Sequence, residues 1–428
     1  MTIREKGVTG VAPAGPAHDL PPVQSVYQPI IDLVTGEAVA FEALARGPVG
    51  NELESPAALF AYARELGIEE RLDVECQAAA MRGALRRSLP RGIPLFVNAE
   101  PRWLQSRWPE HLVPVLEQAR DRLQIVVEIT ERAMVHDPAA LLAAVERIRE
   151  AGWGIALDDV GADPASLALM PFIEPDVIKL DLRLVQERTD GEIAGIVNAV
   201  IAQAERTGAL VLAEGVETEE HRSRALAMGA TLGQGWLLGF PAALPDRLPA
   251  PSRRAPGREL TFTRPHPVAP RSPFDLARES LTTRTATKRL LLPMSLHLER
   301  HALRTSETPV LLTAFQEARH FTRATTARYE TLSDRCSLVG VLGAGISATP
   351  AHGVRGAGLD PDDALCGEWT LCVVGPHFAG ALIATDLGDT GPDADRRFDF
   401  AITYDRALVL NAARSLLRRI PARPDDLE

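Results

Sequence analysis

Polar residues that could do chemistry recur at one place in this chain, the C-terminal end of a short apolar run. Glu42 ends one such run and Asn98 the next. Glu128 and Glu131 follow, then Asp158 with Asp159, Lys179 with Asp181, and Glu214 with Glu217 just beyond; Gln234 lies in the last run. Any one of these acids could cap a helix or face solvent, but their recurrence run after run argues for convergence. So many carboxylates cannot share a partly desolvated cup as bare anions, because repulsion and lost hydration both oppose it. Cations must therefore accompany them. The donors are all oxygen, carboxylates plus the Asn98 amide, with no His or Cys, which selects hard ions such as Mg2+ or Mn2+ over zinc.

The elements that must position these groups are apolar runs alternating with helical patterns. The runs are SVYQPI, AVAFEALA, PLFVNA, QIVVEIT, GIALDD, DVIKLD, ALVLAE and TLGQGW, with helical stretches such as SPAALFAYARELG and PAALLAAVERIREAG between them. That rhythm predicts an α/β fold, a (β/α) barrel whose active face is the C-terminal ends of its strands; an open doubly wound sheet is the alternative. Only Ile31 to Glu37 separates the first two runs, with Thr35-Gly36 as the turn. A parallel crossover needs about a dozen residues, so these two strands are predicted to be antiparallel.

Composition sets outer limits. The net charge of −11 over 428 residues excludes wholesale wrapping of a nucleic-acid polymer. The four cysteines (Cys76, Cys336, Cys366, Cys372) show no CxxC spacing, which fits a reducing cytosol and argues against structural zinc. The N-terminus lacks the apolar stretch of a signal peptide and no run of apolar residues is long enough to span a membrane, so a cytoplasmic protein without membrane contact is expected. Residues 1–22 are read as disordered, 23–245 as the barrel, 246–273 as a Pro/Arg-rich linker, 274–420 as a second folded domain and 421–428 as a tail.

Glu42-Ala43-Leu44-Ala45-Arg46 resembles the signature of EAL-domain cyclic di-GMP phosphodiesterases. YQPI (27–30), FVNAEP (96–101), EITE (128–131), DDVG (158–161), IKLD (178–181), AEGVE (213–217) and QGW (234–236) match in order. The resemblance implies a TIM-type (β/α)8 barrel with one antiparallel strand, a homodimer through the barrel, and hydrolysis of cyclic di-GMP to linear pGpG with two Mg2+ or Mn2+ ions. It implies that Glu42, Asn98, Glu128 and Asp158 ligate one metal, and that Asp158, Asp159 and Glu214 help hold a second and the attacking water. Lys179 would position that water, Arg46 would pair with a ligand phosphate, and Gln28, Gln234 and Asp181 would serve the substrate. Glu217 would tie down the loop after the fifth strand. That loop departs from the family pattern DDFGxGxxSL: here it reads DDVGADPASL, with Val160 for Phe and a proline at Pro164 that restricts the backbone. Altered regulation with retained chemistry is expected.

The second zone opens with a helical pattern at TKRLLLPMSLHLERHALR and continues with strand-like runs at PVLLTAF, SLVGVLG, EWTLCVVG, AGALIATDL and FDFAITY. It reads as a mixed α/β domain of the size of a sensory module. FQEARHFT, RYETL, GEWTL, ATDL and RRFDFAITYDR resemble the DICT domain, which implies a sensory role with an unknown ligand or protein partner. His297 and His301 stand four apart, but a metalloprotease helix needs Glu directly after the first His, so they are read as surface residues. Gly343 and Gly345 are read as a turn, Cys366 and Cys372 as structural, and Glu368 and Trp369 as core rather than pocket. Three functions stay open: a cyclic di-GMP phosphodiesterase regulated by its C-terminal domain, a catalytically weak or inactive cyclic di-GMP receptor, and an unrelated metal-dependent barrel enzyme of the aldolase type. Loss of Glu42, the aspartate pair or Lys179 would mark a receptor; all are present.

Overall fold

The computed structural model describes residues 20–100, 108–130, 136–162, 167–187, 190–248 and 271–422. Most of the N-terminal segment and linker, Glu131, the Asp163–Pro164 part of the altered loop, and nearly all of the tail lie outside the described residues.

Among the described residues, eight strands close a barrel in sequence order. They are β1 (Gln24–Asp32), β2 (Ala38–Arg46), β3 (Leu95–Asn98), β4 (Ile125–Thr130), β5 (Gly154–Val160), β6 (Val177–Leu180), β7 (Leu210–Ala213) and β8 (Leu232–Gly233). β1 runs antiparallel to both β2 and β8, while β2 to β8 pair in parallel. The short Ile31–Glu37 connection allows only this reversal. No helix among the described residues is long and apolar enough to cross a membrane.

The barrel interior is one apolar layer. Ile30, Ala40, Phe96, Val126, Ala156, Val177, Leu212 and Leu232 form a closed cluster, each essentially inaccessible to solvent. Alternate residues of a strand share a face, so the residue two further along each parallel strand also points inward, one layer nearer the mouth. Those residues are Glu42, Asn98, Glu128, Asp158, Lys179, Glu214 and Gln234. β1 runs the other way, and its mouth residue is the one two before Ile30, Gln28. A dry floor and a polar ring above it thus follow from period-two spacing in every run.

The C-terminal domain is a seven-stranded mixed sheet in the order β12-β11-β10-β13-β14-β15-β9. The strands are β9 (Arg284–Thr287), β10 (Val310–Glu317), β11 (Leu338–Ala344), β12 (Arg355–Gly358), β13 (Glu368–Val374), β14 (Ala379–Asp386) and β15 (Arg397–Thr403). β10, β11 and β12 are parallel and the remaining pairs antiparallel. The two edge strands, β9 and β12, are not apparent in the sequence; they are short, and RTAT and RGAG carry no apolar alternation.

Helices Lys288–Arg304 and Arg323–Ser333 pack on one face of the sheet through Leu291, Leu298, Tyr329 and Leu332. On the other face lie helices Pro273–Ser280 and Arg406–Leu417, and their core runs on without a break into the outer core of the barrel around Phe172 and Ile173. Polar contacts follow the same seam. The Arg414 guanidinium donates to the carbonyls of Pro171 (3.0 Å) and Phe172 (3.3 Å) and pairs with Glu174 (2.9 Å). Arg206 donates to Pro376 O at 2.7 Å, Arg355 donates to His136 O at 3.1 Å, and Arg418 pairs with Glu146.

Glu368 and Trp369, adjacent on β13, face opposite sides of the sheet. Glu368 Oε2 accepts from the Phe274 N–H at 3.1 Å in the first turn of helix Pro273–Ser280, whose N-cap is Ser272. Burial pushes the Glu368 carboxyl up to about 7, against the hydrogen bonds from Ser272 and Phe274. An unfolded glutamate titrates near about 4.3. Between these values the unfolded chain gives up a proton that the folded chain keeps, so this group lowers stability as pH rises through that window. Glu368→Gln removes the effect. Thermal unfolding of the variant and the parent is expected to give a Tm difference that shifts in the variant's favour from pH 5 to pH 8, and a difference independent of pH would contradict the assignment.

Candidate active site at the barrel mouth

The ring of mouth residues closes around Lys179. Its side chain is 1% exposed, and Nζ lies 2.7 Å from Glu128 Oε1, 2.7 Å from Asp158 Oδ1, 2.9 Å from Glu214 Oε1 and 3.8 Å from Glu42 Oε2. Burial alone would lower the lysine pKa; the four carboxylates outweigh it and hold the ammonium well above its ordinary value. Glu128, fully enclosed, is pushed well up by burial and by the like charges of Glu42 and Asp158, with Lys179 opposing. Glu214 is raised to about 7 by burial and by Asp158 and Glu42, again against Lys179. One ammonium is too little positive charge for this ring, and without further cations protons fill the deficit.

Each position has a local cause. Asn98 and Glu128 are register partners on neighbouring parallel strands, and Asn98 Nδ2 donates to Glu42 Oε1 at 3.3 Å. Gln234 Nε2 donates to Glu42 Oε2 (2.6 Å) and to Gln28 Oε1 (3.1 Å), and Gln28 Nε2 donates to Gly239 O at 3.1 Å. This chain of amides fixes the Glu42 carboxylate, with Gln234 donating to the same oxygen that Lys179 approaches.

Asp158 and Asp159 present a geometric problem, since successive strand residues face opposite ways. The β5–β6 register shifts between Leu157 and Val160. Asp159 takes a left-handed backbone with φ +56°, which Asp tolerates better than most residues. The irregularity brings carboxylate oxygens of Asp158, Asp159 and Glu214 within 4.8 Å of one another. Gly215, with φ +63°, lets the chain turn after Glu214, where a Cβ would lie 2.6 Å from the Leu182 side chain.

The donor set suits hard divalent cations. All donors are oxygen, and the buried Oε2 of Glu128 and Oε1 of Gln234 accept no hydrogen bond among the described residues. An orphaned buried acceptor is costly unless something occupies it.

Other predicted residues sit outside the ring. Asp181 is the N-cap of helix Leu182–Gln186, accepting from the Arg183 N–H at 2.9 Å. Arg46, at the end of β2, donates to the carbonyl of Ala45 at 2.8 Å. Glu217 is exposed, with its backbone N–H 3.4 Å from His221 Nδ1; the part of the loop it was expected to hold lies outside the described residues. Arg183, which sequence reasoning did not single out, donates to the carbonyls of Gly161 (3.1 Å) and Ala162 (3.2 Å) and so holds the exit from the aspartate pair. It looks like any exposed helix arginine in the sequence.

Known proteins are similar to both parts of the chain. Residues 274–387 match the family described as a sensory domain in diguanylate cyclases and two-component systems, DICT. Among curated proteins, the chain is 31% identical over 224 residues to the cyclic di-GMP phosphodiesterase RocR of Pseudomonas aeruginosa, covering 51% of this chain and 57% of that one. It is 32% identical over 225 residues to the probable cyclic di-GMP phosphodiesterase PdeB of Escherichia coli, covering 51% and 42%. The chain thus spans about half the length of these curated relatives. A calcium and cyclic di-GMP complex of BlrP1 from Klebsiella pneumoniae is similar at 31% identity and a TM-score of 0.46, covering 54% of this chain and 58% of that one. Residues 22–241, half of the chain and the whole of the barrel, match the EAL domain, and the protein belongs to the EAL-domain family.

Proposed function

We propose that the barrel is a metal-dependent cyclic di-GMP phosphodiesterase that opens its substrate to linear pGpG, and that the C-terminal domain regulates it. The observation that carries this reading is the mismatch at the mouth: among the described residues, the carboxylates of Glu42, Glu128, Asp158 and Glu214 surround one buried ammonium. Glu42, Asn98, Glu128 and Asp158 would hold one Mg2+ or Mn2+ ion, and Asp158, Asp159 and Glu214 a second. Such ions supply Lewis acidity at the phosphoryl oxygens and make a water more acidic.

The remaining roles belong to the chain. Water attacks phosphorus, the bond from phosphorus to the 3′-oxygen breaks, and the leaving oxygen takes up a proton. Asp159 and Glu214 would accept the proton that the water loses. Lys179 carries a fixed positive charge beside them and offsets the charge that builds on the phosphoryl group. Arg46 suits a bidentate contact with the second phosphate, Gln28, Gln234 and Asp181 line the approach, and Glu217 braces the loop after β5. Homodimerisation through the barrel and a cytoplasmic location belong to the same reading and rest on the family resemblance and the sequence.

Regulation has a physical route. Met170–Ile173, gripped by Arg414 from the C-terminal domain, follows closely on the loop that leaves Asp158 and Asp159.

The full chain with Mn2+ or Mg2+ is expected to convert cyclic di-GMP to pGpG, and a chelator to stop it. Glu42→Ala should lower turnover by at least roughly a hundredfold. Binding of cyclic di-GMP with no pGpG after hours would replace the enzyme with a receptor.

Lys179→Met should abolish turnover and also lower the Tm, because removing the ammonium leaves the buried carboxylates unpaired. Mn2+ should then raise the Tm of the variant more than that of the parent. An equal rise in both would remove Lys179 from the charge balance of the site.

Arg414→Ala should raise hydrogen exchange at residues 170–174 and change kcat. Faster exchange there with unaltered kcat would dissociate the seam from regulation.

A further inference from the structure

The C-terminal domain contains a cavity of about 320 Å3 between helices Lys288–Arg304 and Arg323–Ser333 and the face of the sheet that carries Trp369. That volume lies in the range of small-molecule sites. Its apolar walls are Leu292, Leu296, Phe315, Trp369 and Phe398, with Trp369 and Phe398 edge to face at 5.7 Å. The reading of Trp369 as plain core is therefore incomplete: its ring packs into the core and also borders this space.

Polar side chains are built into the walls at high burial. Glu299 is 2% exposed, Ser295 4% and Gln316 5%. Gln316 sits at an irregularity of β10, where the pairing with β11 shifts between Ala314 and Glu317, and its backbone is left-handed with φ +64°. A non-glycine residue holds that conformation only where its surroundings enforce it, and such residues gather at ligand sites. Here the enforcement is visible: the Gln316 amide donates to Asp386 (3.3 Å) and accepts from Arg396 (3.0 Å).

The charges around the cavity are already matched. Glu299 pairs with Arg328 and accepts from Tyr329 Oη at 3.2 Å, and Lys288 pairs with Asp393 at 2.5 Å. His320 lies between the carbonyl of Phe315 (3.0 Å) and Arg396 (3.3 Å), and burial together with the neighbouring cations lowers its pKa, so the imidazole is neutral. A charged ligand would lose hydration and find no unpaired counter-charge. The aromatic walls favour a flat ring, and the Ser295 and Thr325 hydroxyls offer hydrogen bonds to one polar edge.

We propose that this cavity is the ligand site of the C-terminal domain and takes a small, neutral, flat aromatic molecule with one hydrogen-bonding edge. Its occupancy is independent of whether the barrel cleaves a phosphodiester.

Quinolin-2-one and 2-naphthol serve as neutral probes, and 2-naphthoate as an anion of the same shape, in saturation-transfer NMR on the full chain. The neutral probes should bind one site with a Kd at or below roughly 1 mM, and the naphthoate at least tenfold more weakly. Two variants fill the space from different walls, Ser295→Leu and Ala324→Trp. Each, if it keeps the parent's circular dichroism and cyclic di-GMP binding, should weaken the neutral probes at least tenfold. Absence of saturable binding by either neutral probe overturns the proposal, as does binding unchanged in the folded variants. Naphthoate binding as tightly as its neutral counterparts overturns the assigned ligand class.

Discussion

The buried Lys179 ammonium among four carboxylates is the constraint on which the site depends. At an effective dielectric of about 20, each contact near 2.7 Å is worth roughly 6 kcal/mol of attraction. Against this stand several kcal/mol of lost hydration for every buried ion and the mutual repulsion of the acids. A lone lysine holds the ring together without satisfying it. The upward shifts of Glu128 and Glu214 express the same deficit, because protons are taken up where positive charge is missing. Divalent ions would compete for those oxygens with protons, which couples metal occupancy to pH. The lysine would thus be the permanent member of a cation set completed by exchangeable ions.

That ring could be built only on a closed barrel. An open sheet would spread the strand ends along a line, and Glu42 on β2 would lie far from Glu214 on β7. Closure through the antiparallel β1 brings β8 beside it, which lets Gln234 reach both Gln28 and Glu42. The apolar layer below is as necessary as the ring. Phe96, Val126 and Leu212 form a solvent-inaccessible apolar floor under the carboxylates, and that floor contributes the low dielectric that sharpens every charge.

Much of this was legible because one rule wrote it repeatedly. An apolar residue followed two places later by a polar one, as in Val126 and Glu128 or Val177 and Lys179, states both strand direction and facing. The reversal of β1 was legible from chain length alone. Asp159 was harder. Strand alternation would turn it away from Asp158, and only the register shift and positive φ bring it back. Asp181 and Arg183 show the opposite limit. They sit beside the motif, yet one caps a helix and the other grips loop carbonyls, and nothing in residue type separates those jobs from ligand contact. The edge strands β9 and β12 were illegible because tertiary pairing, rather than apolar alternation, makes them strands.

The two domains join by a continuous apolar core rather than by a loose tether. The β-sheet face that carries Cys372, Ala381 and Ile383 is covered by helix Arg406–Leu417, and that helix reaches the barrel at Pro171–Glu174. The sheet's opposite face borders the cavity. A ligand there would press on β13 at Trp369, and Thr370 and Cys372 of the same strand face the helix that touches the barrel. Packed cores transmit such displacements because they have little free volume to absorb them. The distance from cavity to metal-binding mouth is therefore spanned by one strand, one helix and one short barrel segment. At the last link Arg414 already holds the carbonyls of Pro171 and Phe172, so a shift of the helix acts directly on the backbone of that barrel segment.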